Sequence, residues 1–160
     1  MNNASNIKTR FTFPKAEHLK SRKAIEQLFK TGKSFFLRPY KVFYQIVAAE
    51  GQQSTGERVP LTDTTAQGLP TAHCQLPTVL QAGFAVSSKN FKHAVDRNRV
   101  KRIGREAYRL NKQPLMGKLA EKKICLQVFF VYTDKTLPNF NQVREKMKTS
   151  LDKLIGIVEK

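Results

Sequence analysis

Residues Lys123 to Thr133 read KICLQVFFVYT, an almost unbroken apolar run rich in β-branched and aromatic types. A strand with one wet face alternates apolar and polar residues, whereas a run this continuous needs cover on both faces. Such a strand belongs at the centre of a sheet. The rest of the chain must therefore supply flanking strands and covering helices.

The segments for that role are present. A first helix is expected over about Ser21 to Thr31, where Ile25, Leu28 and Phe29 recur at helical spacing. Gly32 then suits a left-handed residue that ends it. Phe35 to Ala49 reads as one strand, with Pro39 at its edge or in a bulge. Leu80 to Ser87 reads as the next strand. A strongly basic helix follows over about Val95 to Asn111, with Asp96 where an N-cap is wanted. The last helix is expected from about Asn139, capped by Asn139 after Pro138. Val143, Met147, Ser150, Leu151, Leu154 and Val158 share its apolar face. The order α–β–β–α–β–α predicts an α+β fold, a single small domain with helices packed on a mostly antiparallel sheet.

Two segments stand apart. Residues 1–18 are polar and basic and are expected to form a mobile arm, with a short extended piece around Phe11 and Phe13. The domain proper is then 19–160. Within it, residues 50–78 are rich in Gln, Thr, Ser, Gly and Pro, and read as a flexible polar insertion. Their formal charge is −2, from Glu50, Glu57 and Asp63 against Arg58, so the remainder of the +17 chain carries +19. The positive charge thus belongs to the folded part. A charge of this size calls for a polyanionic partner, and among small basic proteins nucleic acid is the leading class. No apolar run is long enough to cross a bilayer, and the first residues hold no signal-peptide core. Cys74 and Cys125 lie far apart without C-x-x-C spacing, which suits two thiols in a reducing cytosol better than a disulfide or a metal site.

The basic charge is concentrated in Lys89 to Lys112, which holds nine Lys or Arg and two acids. On a helical wheel Val100, Ile103, Ala107 and Leu110 fall in one arc of about 80° and should face the core. Lys101, Arg102, Arg105, Arg109 and Lys112 occupy an opposite arc of about 100°. Arg97 and Arg99 flank it near the N-terminus, and Asn98 can bond to backbone, phosphate or a 2′-hydroxyl. A solvated face would mix both signs. This one is nearly all cationic, and the forked guanidinium of arginine is suited to phosphate oxygens. Lys89 and Lys92 extend it into the preceding turn.

The same stretch, A-V-x-R-N-R-x-K-R-x-x-R-E, resembles the signature of the bacterial ribonuclease P protein at Ala94, Val95, Arg97, Asn98, Arg99, Lys101, Arg102, Arg105 and Glu106. Gly83-Phe84-x-Val86-Ser87-x-Lys89 resembles the strand before that helix. Leu19, Leu28 to Ser34 and Arg38 to Tyr44 resemble the first helix and first strand. The likeness covers about residues 13–49 and 79–158. The sequence departs from the pattern in the long segment 50–78, in Asn90-Phe91 where the turn usually has glycine, in Gly104 where a larger apolar residue is common, and in Ile25 where an aromatic is common.

The resemblance implies the protein subunit of an endoribonuclease that removes the 5′ leader of precursor tRNA. It implies that an RNA subunit and Mg²⁺ held mainly by that RNA carry the chemistry, so no side chain is assigned as a catalyst. The implied partners are the ribonuclease P RNA and precursor tRNA, with no membrane and no obligate protein partner, and the implied location is cytoplasmic. The RNA subunit would meet Arg97, Asn98, Arg99, Lys101, Arg102 and Arg105. The leader would cross the sheet and first helix, with Ile25, Phe29, Tyr40 and Tyr44 as candidate contacts. The resemblance also implies a left-handed βαβ crossover, against the usual right-handed rule. Composition alone leaves rivals open. A ribosomal or general structured-RNA-binding protein explains the charge equally well. A DNA-binding module would need a helix-turn-helix or dimerisation element that is not evident. A membrane-surface protein would need a large apolar helix face that the basic helix lacks.

Overall fold

The computed structural model describes residues 12–48 and 80–159. The whole 50–78 insertion and residues 1–11 of the expected arm lie outside them. After a 3-10 turn at Lys15–Glu17 the elements are α1 (Arg22–Thr31), β1 (Lys33–Leu37), β2 (Tyr40–Ala48), β3 (Leu80–Val86), α2 (Ala94–Asn111), α3 (Gln113–Lys122), β4 (Ile124–Tyr132) and α4 (Phe140–Glu159). The sheet order is β1-β2-β4-β3. β1 and β2 pair antiparallel, as do β2 and β4, while β3 and β4 run parallel. The parallel pair is joined through α2 and α3.

The apolar strand β4 lies between β2 and β3, as its composition requires. Leu126, Val128, Phe130 and Tyr132 point into the main core, where they meet Tyr40, Val42 and Leu80 from the sheet, Val100, Ala107 and Tyr108 from α2, and Met147, Leu151 and Leu154 from α4. The opposite parity, represented by Phe129, packs with Leu19, Leu28, Ile25 and Phe43 beneath α1. β4 is therefore covered on both faces, but by layers of unequal extent. The buried side of α4 consists of Val143, Met147, Ser150, Leu151, Leu154 and Val158, the residues its periodicity selects. The Asn141 amide donates to Asn139 Oδ1 at 3.3 Å, so Asn139 caps the helix.

Five local expectations are corrected. The single strand over Phe35 to Ala49 is a hairpin, in which Arg38 and Pro39 form a two-residue turn between the paired residues Leu37 and Tyr40. The Arg38–Pro39 bond is cis. Helix α3 is an addition to the expected order of elements. Pro114 stands in its first turn, where a missing N–H costs nothing, and Leu115 and Leu119 bury one helical turn apart. Gly32 is extended, at φ −71°, not left-handed. Glycine is needed there for space: a Cβ would lie 2.3 Å from the Leu28 carbonyl oxygen and 3.1 Å from that of Tyr44. α2 begins one residue earlier than expected, so His93 is its N-cap, and Asp96 sits within the first turn, where its charge favours the helix dipole. Lys112, placed by the helical wheel on the solvent arc, is 1% exposed and paired with Glu17.

That last pair changes the reading of the N-terminal segment. Residues 12–18, assigned to the arm, are packed on the domain. Glu17 is buried, and His18 bridges to Ala82 of the edge strand β3. The Leu19 amide donates to the Ala82 carbonyl at 3.0 Å. The Phe13 ring lies edge-on to Tyr108 at 5.2 Å and the Lys112 ammonium stands 5.7 Å from its centroid.

Candidate nucleic-acid interface

Helix α2 is docked by Val100, Gly104, Ala107 and Tyr108, all buried. Gly104 lets it approach the sheet closely, since a Cβ there would lie 2.9 Å from Tyr40 Oη and 3.3 Å from Phe84 Cδ1. A larger apolar residue would push the helix outward. Close docking on this face turns the opposite one to solvent. Asn98, Arg99, Arg102 and Arg105 are exposed and Lys101 is half-buried. Lys89 and Lys92 stand exposed in the preceding turn.

Two of the arginines are already engaged within the protein. Arg97 Nη1 donates to the carbonyls of Phe91 at 2.8 Å and Lys92 at 2.7 Å, which fixes the turn that leads into the helix. Arg109 grips Glu106 through Nε at 2.9 Å and Nη2 at 2.5 Å. The bond from Arg109 holds the Glu106 carboxyl below its ordinary range, and the same bond raises Arg109. The cationic surface is therefore strongest at Arg99, Lys101, Arg102 and Arg105, with the neutral Asn98 beside them.

The Asn90-Phe91 turn, lacking the expected glycine, is held by its own side chains. Asn90 Nδ2 donates to the carbonyls of Thr133 at 2.9 Å and Asp134 at 3.4 Å, just beyond β4. Phe91 is buried against Tyr132. The start of α2 is thus pinned to the end of the central strand.

A second surface lies on the sheet face that α1 only partly covers. Phe29 is 42% exposed, with its ring edge-on to Phe43 at 4.6 Å and to Phe129 at 5.3 Å. Ile25 is half-buried beside them. The Lys41 ammonium stands 5.0 Å from the Phe43 centroid, and Phe36, its partner across the hairpin, is 56% exposed. Aromatic faces with an adjacent cation suit single-stranded nucleic acid, whose bases stack and whose phosphates pair.

Of the four leader candidates, Ile25 and Phe29 lie on this face. Tyr40 and Tyr44 do share one strand face with Val42, but it is the buried one under α2 and α4, and both tyrosines are core. Burial raises the Tyr40 hydroxyl well above its ordinary pKa. Phe36, Lys41 and Phe43 have the opposite parity. Reading the Arg38-Pro39 break as a hairpin turn, and placing Val42 in the core with Phe130, would have identified them.

Among the described residues no group of three or more His, Cys, Asp or Glu is placed to hold a metal ion. None of the described helices is long and apolar enough to cross a membrane.

Known proteins are similar to this chain in sequence and in fold. The family model for ribonuclease P matches residues 13–155. The ribonuclease P protein component of Porphyromonas gingivalis strain W83 is 32% identical over 148 residues, covering 92% of this chain and 90% of the relative. That of Chlorobium phaeobacteroides is 34% identical over 140 residues, covering 83% and 81%. The solved structure of the Staphylococcus aureus RNase P protein superposes with a TM-score of 0.57 at 16% identity, covering 88% of this chain and 96% of that one. That likeness concerns the fold; the sequence matches, which span both the basic helix and the elements around it, show that the chain belongs to the ribonuclease P protein family.

Proposed function

We propose that this chain is the protein subunit of a ribonuclease P ribonucleoprotein, binding the catalytic RNA through α2 and the 5′ leader of precursor tRNA through the open sheet face. The observation that carries this reading is the coexistence of two different surfaces on one small domain. One is a nearly acid-free helix face, suited to the closely spaced phosphates of folded RNA. The other is a half-exposed aromatic cluster with a lysine, suited to unpaired bases.

The division of labour follows from side-chain chemistry. Magnesium takes oxygen ligands in octahedral geometry. The exposed face of α2 offers guanidinium and ammonium groups, which repel a cation, so the residues present do not fit a magnesium site and the ion belongs on the RNA. The protein's contribution is to neutralise phosphate charge where RNA segments crowd together, and to hold the leader extended. Arg99, Arg102 and Arg105 would make forked contacts to phosphate, and Asn98 can reach a 2′-hydroxyl. Arg97 positions the helix start through the Phe91 and Lys92 carbonyls. Localisation in the cytoplasm accords with this role.

The test is cleavage of a 5′-extended precursor tRNA at low Mg²⁺ by the purified protein mixed with ribonuclease P RNA. Cleavage at the mature 5′ end is expected only when both are present. A folded protein that binds RNA yet gives no stimulation would move the assignment to a ribosomal or general structured-RNA-binding role.

A further inference from the structure

Three connections meet at the end of the sheet where α2 begins: the β1–β2 turn at 38–39, the turn 87–93 and the β4–α4 loop 133–139. Asn90 ties the second to the third, its side-chain amide donating to the Thr133 and Asp134 carbonyls at 2.9 and 3.4 Å. Thr133 ties the third to the first, its amide and its hydroxyl both donating to the Pro39 carbonyl at 2.9 Å. Tyr132 Oη donates to the Thr136 carbonyl at 2.8 Å. The carbonyls on both sides of Lys135 are thus held by side chains. The turn 87–93 is closed as firmly. The Asn90 and Phe91 amides donate to the Ser87 carbonyl at 3.2 and 3.3 Å, and Arg97 holds the Phe91 and Lys92 carbonyls.

These fixed segments carry a cationic cluster. Lys89 and Lys92 in the turn and Lys135 in the loop are all exposed. Among the described residues none of the three forms an ion pair. The acid next to Lys135, Asp134, lies 4.0 Å from Arg38 Nε, and Asp96 in the first turn of α2 is half-buried. A partner that had to order a mobile loop would lose affinity to the entropy of ordering it. Here the backbone around each lysine is already ordered, so only the side chains remain to be fixed. The local rings, Phe91 and Tyr132, are buried, so the surface offers point charges and no stacking face. That suits phosphate oxygens rather than bases. A glycine at position 90 would lack the amide that joins the loop to the turn.

We infer that the RNA-binding surface continues from α2 onto the β4–α4 loop, where Lys135 joins Lys89 and Lys92 in contacting phosphates, and that Asn90 is the positioning residue that holds the two segments together. The inference rests on the reading that α2 faces the RNA subunit, and it adds to that surface a residue from a distant part of the chain. Lys135 contacts the RNA; Asn90 acts through Lys135 and touches no phosphate itself.

The experiment measures the affinity of the full chain for ribonuclease P RNA against salt at constant Mg²⁺. The proteins are the parent, Arg99→Ala, Lys135→Ala, Asn90→Gly and the double variant Asn90→Gly with Lys135→Ala. Lys135→Ala is expected to lower the salt slope by about one, as the loss of one phosphate contact does. In the Asn90→Gly background, adding Lys135→Ala should change the slope no further. Amine acylation read by mass spectrometry gives a second readout: RNA should shield Lys89, Lys92 and Lys135 of the parent and leave Lys148 on α4 reactive. In Asn90→Gly the shielding of Lys135 should be lost. Thermal unfolding verifies that the variants fold. Should Asn90→Gly fail to fold, acylation of the parent complex decides, and a Lys135 that stays reactive overturns the proposal. A Lys135→Ala loss of equal size with and without Asn90 also overturns it, because Asn90 then positions nothing. An effect of Arg99→Ala with none of Lys135→Ala overturns it and leaves the α2 reading intact. No effect of either removes both.

Discussion

Breaking the buried Lys112–Glu17 pair should be the most damaging single change outside the apolar core. Lys112 and Glu17 are 1% and 4% exposed. Truncating one partner strands the other's charge away from water, which costs about 3–5 kcal/mol in comparable buried pairs. The two truncations should differ. In Glu17→Ala the remaining ammonium still lies near the Phe13 and Tyr108 rings, at 5.7 and 6.0 Å. Ring faces attract cations, so the loss should fall near the low end, about 3 kcal/mol. In Lys112→Met the carboxylate is left facing the same rings, which do not favour an anion, and the loss should approach about 5 kcal/mol. Domains of this kind are stable by about 5–15 kcal/mol, so either variant gives up a large share. Replacing both, as Glu17→Leu with Lys112→Met, removes both charges and should return to within about 1 kcal/mol of the parent. Urea unfolding with linear extrapolation measures all four proteins. Single variants within about 1 kcal/mol of the parent at unchanged m-value, or a double variant no better than the sum of the singles, would refute the claim that the pair is buried and mutually dependent.

Charge reversal at Arg99 or Arg102 should weaken binding to the RNA subunit far more than it lowers the unfolding midpoint, and replacing one of them by alanine should reduce the salt slope of binding by about one; full RNA affinity in a stable variant would contradict the assignment. Gly104→Ala should destabilise the protein although alanine favours helix by about 1 kcal/mol, because its Cβ would meet Tyr40 Oη at 2.9 Å. Adding Tyr40→Phe, which removes that oxygen, should recover much of the loss in thermal unfolding. For His18, burial is the main cause of a pKa below 6.5, aided by Lys20 and Arg105 and opposed by a backbone bond at Phe13 and by Glu17. The unfolded chain therefore takes up a proton first, so folding stability should fall as pH drops from about 6.5 through the lower folded pKa. His18→Gln should flatten that limb of a stability–pH curve, and an unchanged slope would show that other groups set it.

Periodicity and charge were enough to place α1, β3, α4 and the basic helix, because each of these elements carries its own pattern within a single window. The continuous apolar run of β4 also announced a central position, since no other environment covers both of its faces. The Arg97 to Glu106 motif identified the family for the same reason: it is local, and it fixes residue types at many positions. What the sequence did not settle depended on partners far along the chain. Lys112 reads as a solvent cation until Glu17, 95 residues earlier, is seen to meet it. Tyr40 and Tyr44 read as exposed aromatics until pairing with β4 sets their parity toward α2 and α4. Once the hairpin turn is known, that parity puts Phe36, Lys41 and Phe43, not the tyrosines, on the opposite face of the sheet. Gly104 reads as a weak point in a helix until Tyr40 and Phe84 are found against it. Local propensity and charge are properties of a segment, and the sequence determines them alone; burial, parity and electrostatic pairing are properties of contacts between distant segments, and only the tertiary structure decides them.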